Sequence, residues 1–488
     1  MKSKFFTYFI LATTIQLCAC EDDETFSTSP SDMLTFSTDT VRMDTVFSTV
    51  PSSTRYFWVY NKSGENLRCK NVRLENGNQI GFRVNVDGAY LGATSGYQVN
   101  DIEVRDKDSI RVFVELTSPN NYGNKPTEIE DNIIFSLESG RQQKVNLNAF
   151  SWDATMFRNM KIDKDTIISS SKPIVVYGGI DVAENATLTI GKGTTLYFHG
   201  NAGINVHGTL VCQGTANETV TLRGDRLDRM FDYLPYDNVS GQWNGIRLTC
   251  ASYGNHLTHT DIHGTFDGLK VDSSDVSRLK LTIENSTIHN CQGTALDITN
   301  SFCVISNCQL TNTLGNCLNI EGGRVEMNNS TLAQFYPFDS NRGVALRFSG
   351  VKHPLQSFVC TNSLVTGYAD DEMSGLRPDK AAGSSNDFNY TFSDCIMRTV
   401  KDTTEDSVRF VNVTLENPKD TADAGAKHFV KIDSDNQSYD FHLAETSKAI
   451  GAANPVTATK EDHDSKKRDE KPDIGAYEFF ISDDKKDQ

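Results

Sequence analysis

The sequence predicts an all-β chain, with a β-sandwich followed by a solenoid whose coils each hold three short strands. Three observations carry this. From Met33 to about Asp153 the chain breaks into alternating apolar and polar runs separated by Gly, Asn and Pro, the period-two pattern of half-buried strands. Beyond Pro173 a 22-residue unit repeats: 281–302 aligns with 303–324, and Asn285, Asn307 and Asn329 fall in one column. A second pattern runs in step, with a small residue, Leu or Ile, any residue, then Val, Ile or Leu. It recurs at 203–206, 245–248, 268–271, 295–298 and 317–320, with a Phe-ended copy at 345–348.

At the start, Lys2 and Lys4 precede an apolar run from Phe5 to Leu17 that is too short to span a bilayer and reads as a secretory signal. Leu17-Cys18-Ala19-Cys20 resembles the lipobox of bacterial lipoproteins. The resemblance implies that 1–19 is removed, that Cys20 is acylated, and that the lipid is the membrane contact. The alternative is an ordinary signal with incidental cysteines. Glu21 to Glu24 resembles the surface-export signal of Bacteroidota lipoproteins, which implies an outer-membrane protein facing the exterior, with 20–32 as a polar tether. The formal charge of −17 argues against nucleic acid as a partner. Of eleven cysteines, nine lie outside the signal and are scattered without metal-site spacing, so packed free thiols are expected.

Residues 33–153 form the expected sandwich. Within it, Phe57, Val59, Asn61, Gly64 and Leu67 hold a pattern that resembles the Ig-like domains of the abnormal-spindle/hydin type. That likeness implies a spacer or interaction module.

Residues 173–415 form the expected solenoid. The Asn column extends to Asn362 and Asp394, and Ser286, Cys308, Ser330, Ser363 and Cys395 make the next column. Coils stacked at strand spacing bring equivalent residues about 4.8 Å apart, so each Asn amide is expected to bond its neighbours above and below. The whole resembles the right-handed parallel β-helix family, of pectate-lyase-like fold. The resemblance implies that the small-Leu-x-Ile strands form its first sheet, PB1, where enzymes of the family carry their clefts. Residues 416–488 close the chain. Asp473-Ile474-Gly475-Ala476-Tyr477-Glu478 resembles the closing motif of bacterial β-helix proteins and implies a cap over the last coil.

Strand alternation assigns the outward positions of PB1. One column is Asn205, Arg247, Lys270, Asp297, Asn319 and Arg347; beside it run His207, Thr249, Asp272, Thr299, Glu321 and Ser349. If the chain is a polysaccharide lyase or hydrolase, Lys270 or Arg247 is the candidate base, with Asp297 as a further catalytic group. Asp272, Asp297 and Glu321 are candidate oxygen ligands for Ca²⁺. The competing reading is a solvated, charge-laced sheet. The motifs typical of polygalacturonases and pectate lyases are missing. In His259-Thr260-Asp261-Ile262-His263 a straight strand would put both histidines and the aspartate on one face, but His259 falls in the Asn column, so a bend is expected there.

Insertions at 223–244, 335–343 and 368–387 sit where a binding wall would be built. Tyr233, Tyr236, Trp243 and Tyr336 offer flat surfaces for sugar rings, with Arg347 on the sheet below. Against this, Arg223, Asp225, Arg226, Asp228, Arg229 and Asp232 can pair with one another and pin the first insertion as a mini-core. Three functional readings stay open: a glycan-binding or scaffold protein, a lyase or hydrolase, and a structural envelope protein.

Overall fold

The computed structural model describes residues 25–378, 387–399, 408–419 and 424–480. The signal, Cys20, the acidic run after it and the middle of the third insertion lie outside the described residues. The chain divides into two compact units after Asp153.

The first unit is two five-stranded sheets around one apolar core. One sheet runs in the order Leu34–Phe36, Arg55–Asn61, Ser109–Leu116, Phe82–Val86, Ala89–Tyr90. The other runs Thr40–Phe47, Gln142–Trp152, Thr127–Leu137, Leu67–Leu74, Gln98–Val104. The Phe57, Val59, Asn61 alternation points all three inward. Burying Asn61 requires its polar atoms to be met. Its amide donates to the Glu65 and Val104 carbonyls, and its oxygen accepts from the Ser63 backbone.

The second unit is a parallel β-helix with three stacks. PB1 contains Ile246–Leu248, Leu269–Val271, Leu296–Thr299, Leu318–Glu321 and Leu346–Ser349. A second stack contains Asn255–Thr258, Leu279–Glu284, Phe302–Ser306 and Gly323–Asn328. A third contains Thr260–His263, Thr287–His289, Gln309–Thr311 and Thr331–Gln334. Inward side chains from all three merge into one core. Stacking starts at Thr155–Ile162, one coil before the position the repeat suggests. The nine cysteines of the described residues are all free, and eight are buried.

The Asn column makes the turn from the second stack to the third. His259, Asn285, Asn307, Asn329, Asn362 and Asp394 have φ between 41° and 53°, the left-handed region that Asn and Asp tolerate. The bend expected at His259 is therefore present. The expected amide ladder shows one rung, where the Asn412 amide of the next coil donates to Asp394 at 3.2 Å; from Asn285 to Asn329 backbone bonds climb between coils, while the amides turn outward. Asn285 donates to the Asp462 and His463 carbonyls, Asn307 to Glu461 and Asn329 to Asp473. The rungs between coils come instead from the adjacent column. The Ser286, Ser330 and Ser363 hydroxyls accept from the backbone of the preceding coil.

These bonds fix the place of the closing segment. It runs along the flank of the solenoid over several coils, where an end cap was expected. Ile474, Ala476, Tyr477, Phe429 and Phe441 pack with Ala333, Phe335, Leu364 and Ile396 from the outer side of the third stack. Arg468, paired with Glu478 at 3.0 Å, binds Asn307 and three backbone carbonyls from within this contact.

Candidate functional site

PB1 holds its outward column in strict register: Asp181, Asn205, Arg247, Lys270, Asp297, Asn319 and Arg347 sit side by side on successive coils. Their apolar neighbours on each strand point into the core.

At the first coils this face sinks into a cleft of about 750 Å³. Asp181, Asn205, Arg247 and Lys270 form its floor; Asn201, Asn244, Phe266 and Asp267 come from the turns beside it, and Asn159 from the irregular middle of Thr155–Ile162. Successive coils approach closely here because Gly245 takes φ 81°, where a side chain would strike the Asp267 carbonyl. Phe266 leaves about half its surface exposed (52 %).

Charges on this face are mostly engaged. Arg247 pairs with Asp272 at 2.9 Å. Asp297 accepts from the Asn319 amide at 2.6 Å, and Asn319 in turn accepts from Arg347. Glu321 accepts from the Lys352 backbone and lies 3.8 Å from Arg347. Lys270 has no ion-pair partner among the described residues. The structure thus brings the candidate bases Lys270 and Arg247 into one cleft and leaves Asp297 and Arg347 further along the sheet.

Two groups of expectations are corrected. Asp272, Asp297 and Glu321 do not converge as a cation site, because each is turned to a different partner on its own part of the sheet. Trp243 and Tyr336 are not ligand-facing walls. Trp243 is 1 % exposed, stacks on Phe198 at 4.1 Å and donates to the His263 carbonyl. Tyr336 is buried with its hydroxyl at Ser240. Tyr236 lies under the Arg226 guanidinium at 3.8 Å, and Tyr233 is exposed against Phe231. Neither lines the cleft.

The insertion after Arg223 is accordingly a pinned loop. Arg226 grips Asp228 through two bonds of 2.7 Å, Arg229 donates to the Asp232 carbonyl, and Arg223 pairs with Asp237 at 2.7 Å. Asp237 reaches the third stack, where it accepts from His263 Nε2 at 2.8 Å. His263 Nδ1 faces Asp261 at 2.9 Å, and His289 Nε2 lies 3.2 Å from the same carboxylate. Burial disfavours the His263 imidazolium, but the carboxylates of Asp261 and Asp237 outweigh it and hold its pKa up to about 9. Burial likewise opposes ionisation of Asp261, and His263 and His289 overcome it, keeping that carboxylate well below the usual range.

Sequence reasoning missed Phe266, Asp267, Asn201 and Asn244, which come from turns with no repeat signal, and Asn159, which lies in a strand ahead of the recognisable repeat. It also missed His289 as a partner of His263. The signal was there: each stands four residues after its turn residue, His259 or Asn285.

No protein-family model and no curated protein matches the chain. Among solved structures, a family 123 glycoside hydrolase from Clostridium perfringens, described in terms of glycolipid glycan hydrolysis, aligns at 10 % identity and a TM-score of 0.17. The alignment covers 25 % of this chain and 26 % of that one. So small an overlap bears on neither the fold nor the activity of this chain.

Proposed function

We propose that this is a glycan-binding protein whose site is the PB1 cleft around Arg247, Lys270 and Phe266. The observation that carries the reading is the cleft's lining. A half-exposed phenyl face stands beside four side-chain amides, from Asn159, Asn201, Asn205 and Asn244. Sugar rings present apolar faces edged with hydroxyls, and a ring plus amides that both donate and accept is the matching complement. Arg247 and Lys270, with Asp181 and Asp267 in the same lining, give the cleft charges of both signs.

One observation favours a second reading, a polysaccharide lyase acting in the same cleft. Lys270 stands there with no ion pair among the described residues, next to an arginine that can neutralise a uronate. The purified protein, incubated with a polysaccharide panel with and without Ca²⁺, separates the two. Binding that weakens about tenfold or more in Phe266→Ala, without release of new sugar ends, supports the binding protein. Unsaturated product that disappears in Lys270→Ala supports the lyase. Binding unchanged in both variants removes the cleft from consideration.

The remaining proposals concern address. The first strand of the N-terminal unit divides between both sheets, and its second part pairs parallel with the last strand (Thr40 with Asn146), which supports an Ig-like spacer. We read Cys20 as the lipid attachment and the protein as displayed from the outer membrane. Loss of fatty-acid labelling in Cys20→Ala, together with protease sensitivity on intact cells, is the expected result. Labelling that persists in the variant would refute the anchor.

A further inference from the structure

We propose that Asp261, His263 and His289 form a zinc site on the outer side of the third stack, apart from the PB1 cleft.

The backbone dictates the arrangement. In-register parallel pairing places His263 beside His289 on the next coil, and Asp261, two residues before His263, shares its face. The two imidazoles stack with centroids 4.7 Å apart. One ligand atom from each of the three residues lies within 4.8 Å of the others. Asp261 is 2.9 Å from His263 Nδ1 and 3.2 Å from His289 Nε2. A tetrahedral zinc ion with ligand bonds of about 2.0–2.2 Å holds its donors roughly 3.3 Å apart. The two short separations match that edge with shifts of a few tenths of an ångström.

The donor chemistry is also selective. Two imidazoles and one carboxylate suit zinc and other first-row divalent ions better than Ca²⁺ or Mg²⁺, which prefer oxygen throughout.

The support behind the ligands is the second independent observation. His263 binds Asp237 through Nε2, leaving Nδ1 aimed at Asp261 and His289. Asp237 is itself held by Arg223. A carboxylate on the far nitrogen of a ligating histidine fixes the ring and raises its basicity, a pairing found throughout zinc proteins. The pinned insertion is what delivers Asp237 to the back of His263. The Asp261 and His289 side chains keep 31 % and 24 % of their surface, which leaves a route for the ion and a fourth position for water.

The test is zinc titration of the chelator-stripped purified protein against a chromophoric competitor, followed by Co²⁺ loading to read geometry from visible absorption. One equivalent of zinc is expected, with a tetrahedral Co²⁺ spectrum. His289→Ala and Asp261→Asn should each weaken binding by about 100-fold or more, and Asp237→Asn by about 10-fold. These variants spare the more deeply buried His263, and circular dichroism verifies their folding. His442→Ala, in a separate His–Asp cluster with Asp440 and Asp464, should leave the affinity unchanged. The proposal is overturned by the lack of a stoichiometric site, by zinc affinity unchanged in folded His289→Ala and Asp261→Asn, or by affinity that follows His442 instead.

Discussion

Replacing Trp243 separates a loop that is a plug from a loop that is a wall. Its indole is 1 % exposed and lies parallel to Phe198, 7° from coplanar, inside the solenoid core. Truncation to Ala removes that volume and leaves a cavity bounded by rigid coils, at a cost of about 3–5 kcal/mol. Trp243→Phe keeps a ring on Phe198 but leaves the His263 carbonyl without the indole N–H, 2.8 Å away, adding about 1 kcal/mol to a smaller packing loss. The ordering expected is wild type, then Phe about 1–2 kcal/mol below, then Ala about 3–5 kcal/mol below. Urea unfolding followed by circular dichroism reads the series, and glycan binding is measured on the folded Phe variant. That variant should bind as the wild type does. A Phe variant of undiminished stability that no longer binds glycan would mean the indole faces the ligand, and the assignment of the insertion as a pinned plug would fail.

Three further outcomes follow from single sites. Glu372 is fully buried, and burial outweighs its two backbone N–H bonds to raise its pKa to about 8. The folded state therefore holds a proton that the unfolded chain releases near pH 4.5, so stability is complete below that pH and falls by several kcal/mol as pH rises through about 8. Glu372→Gln should flatten this slope in thermal melts between about pH 5 and 9, and an unchanged slope would assign it to another group. Asn307→Ala should cost about 2 kcal/mol or more in urea unfolding, because Ala tolerates φ 49° poorly and abandons the Glu461 carbonyl, whereas Asn307→Gly should cost about half as much. Arg468→Met removes one partner of an ion pair with both side chains 2 % exposed and should cost about 3–5 kcal/mol in urea unfolding. It should also open the closing segment to protease, and an unaltered digestion pattern would show that the segment is held by its apolar contacts alone.

What the sequence made legible is what repetition enforces. A residue recurring at every coil must meet the same environment each time, so the small-Leu-x-Ile strands, the turn at His259 and the outward column from Asn205 to Arg347 could be placed from spacing alone. The Asn column was legible in position but not in cause. Its constraint is a left-handed backbone, and its amides are spent on the closing segment, whose contacts lie about 95 to 178 residues away in sequence. Trp243 and Phe266 show the limit most directly. Both are aromatic residues in turns just before a small residue of PB1, one buried and one half-exposed, and no local pattern distinguishes them. Which way such a ring turns is decided by neighbours on other coils, here Phe198 for Trp243.

The same contacts narrow where a large ligand can lie on the solenoid. From Gln309–Thr311 onward, the outer side of the third stack is covered by Phe429, Phe441, Ala476 and Tyr477, and the turn beside it is clasped by residues 454–478. Earlier on that stack, Asp237 closes over His263. The second stack presents side chains such as Thr282, Glu284 and Arg324, the last paired with Glu326 at 2.6 Å. PB1 keeps an open face along its coils, and at its first coils that face deepens where Gly245 lets successive turns draw together. An extended polymer needs a continuous track with at least one recess to fix its register. PB1 supplies both, with the column from Asp181 to Arg347 as the track and the Phe266 cleft as the recess. A short oligosaccharide should therefore occupy the cleft alone. Longer chains should gain affinity with length and lose that gain when Arg347, farther along the track, is replaced by Ala. Affinity independent of chain length would confine the site to the cleft and remove the rest of the PB1 face from binding.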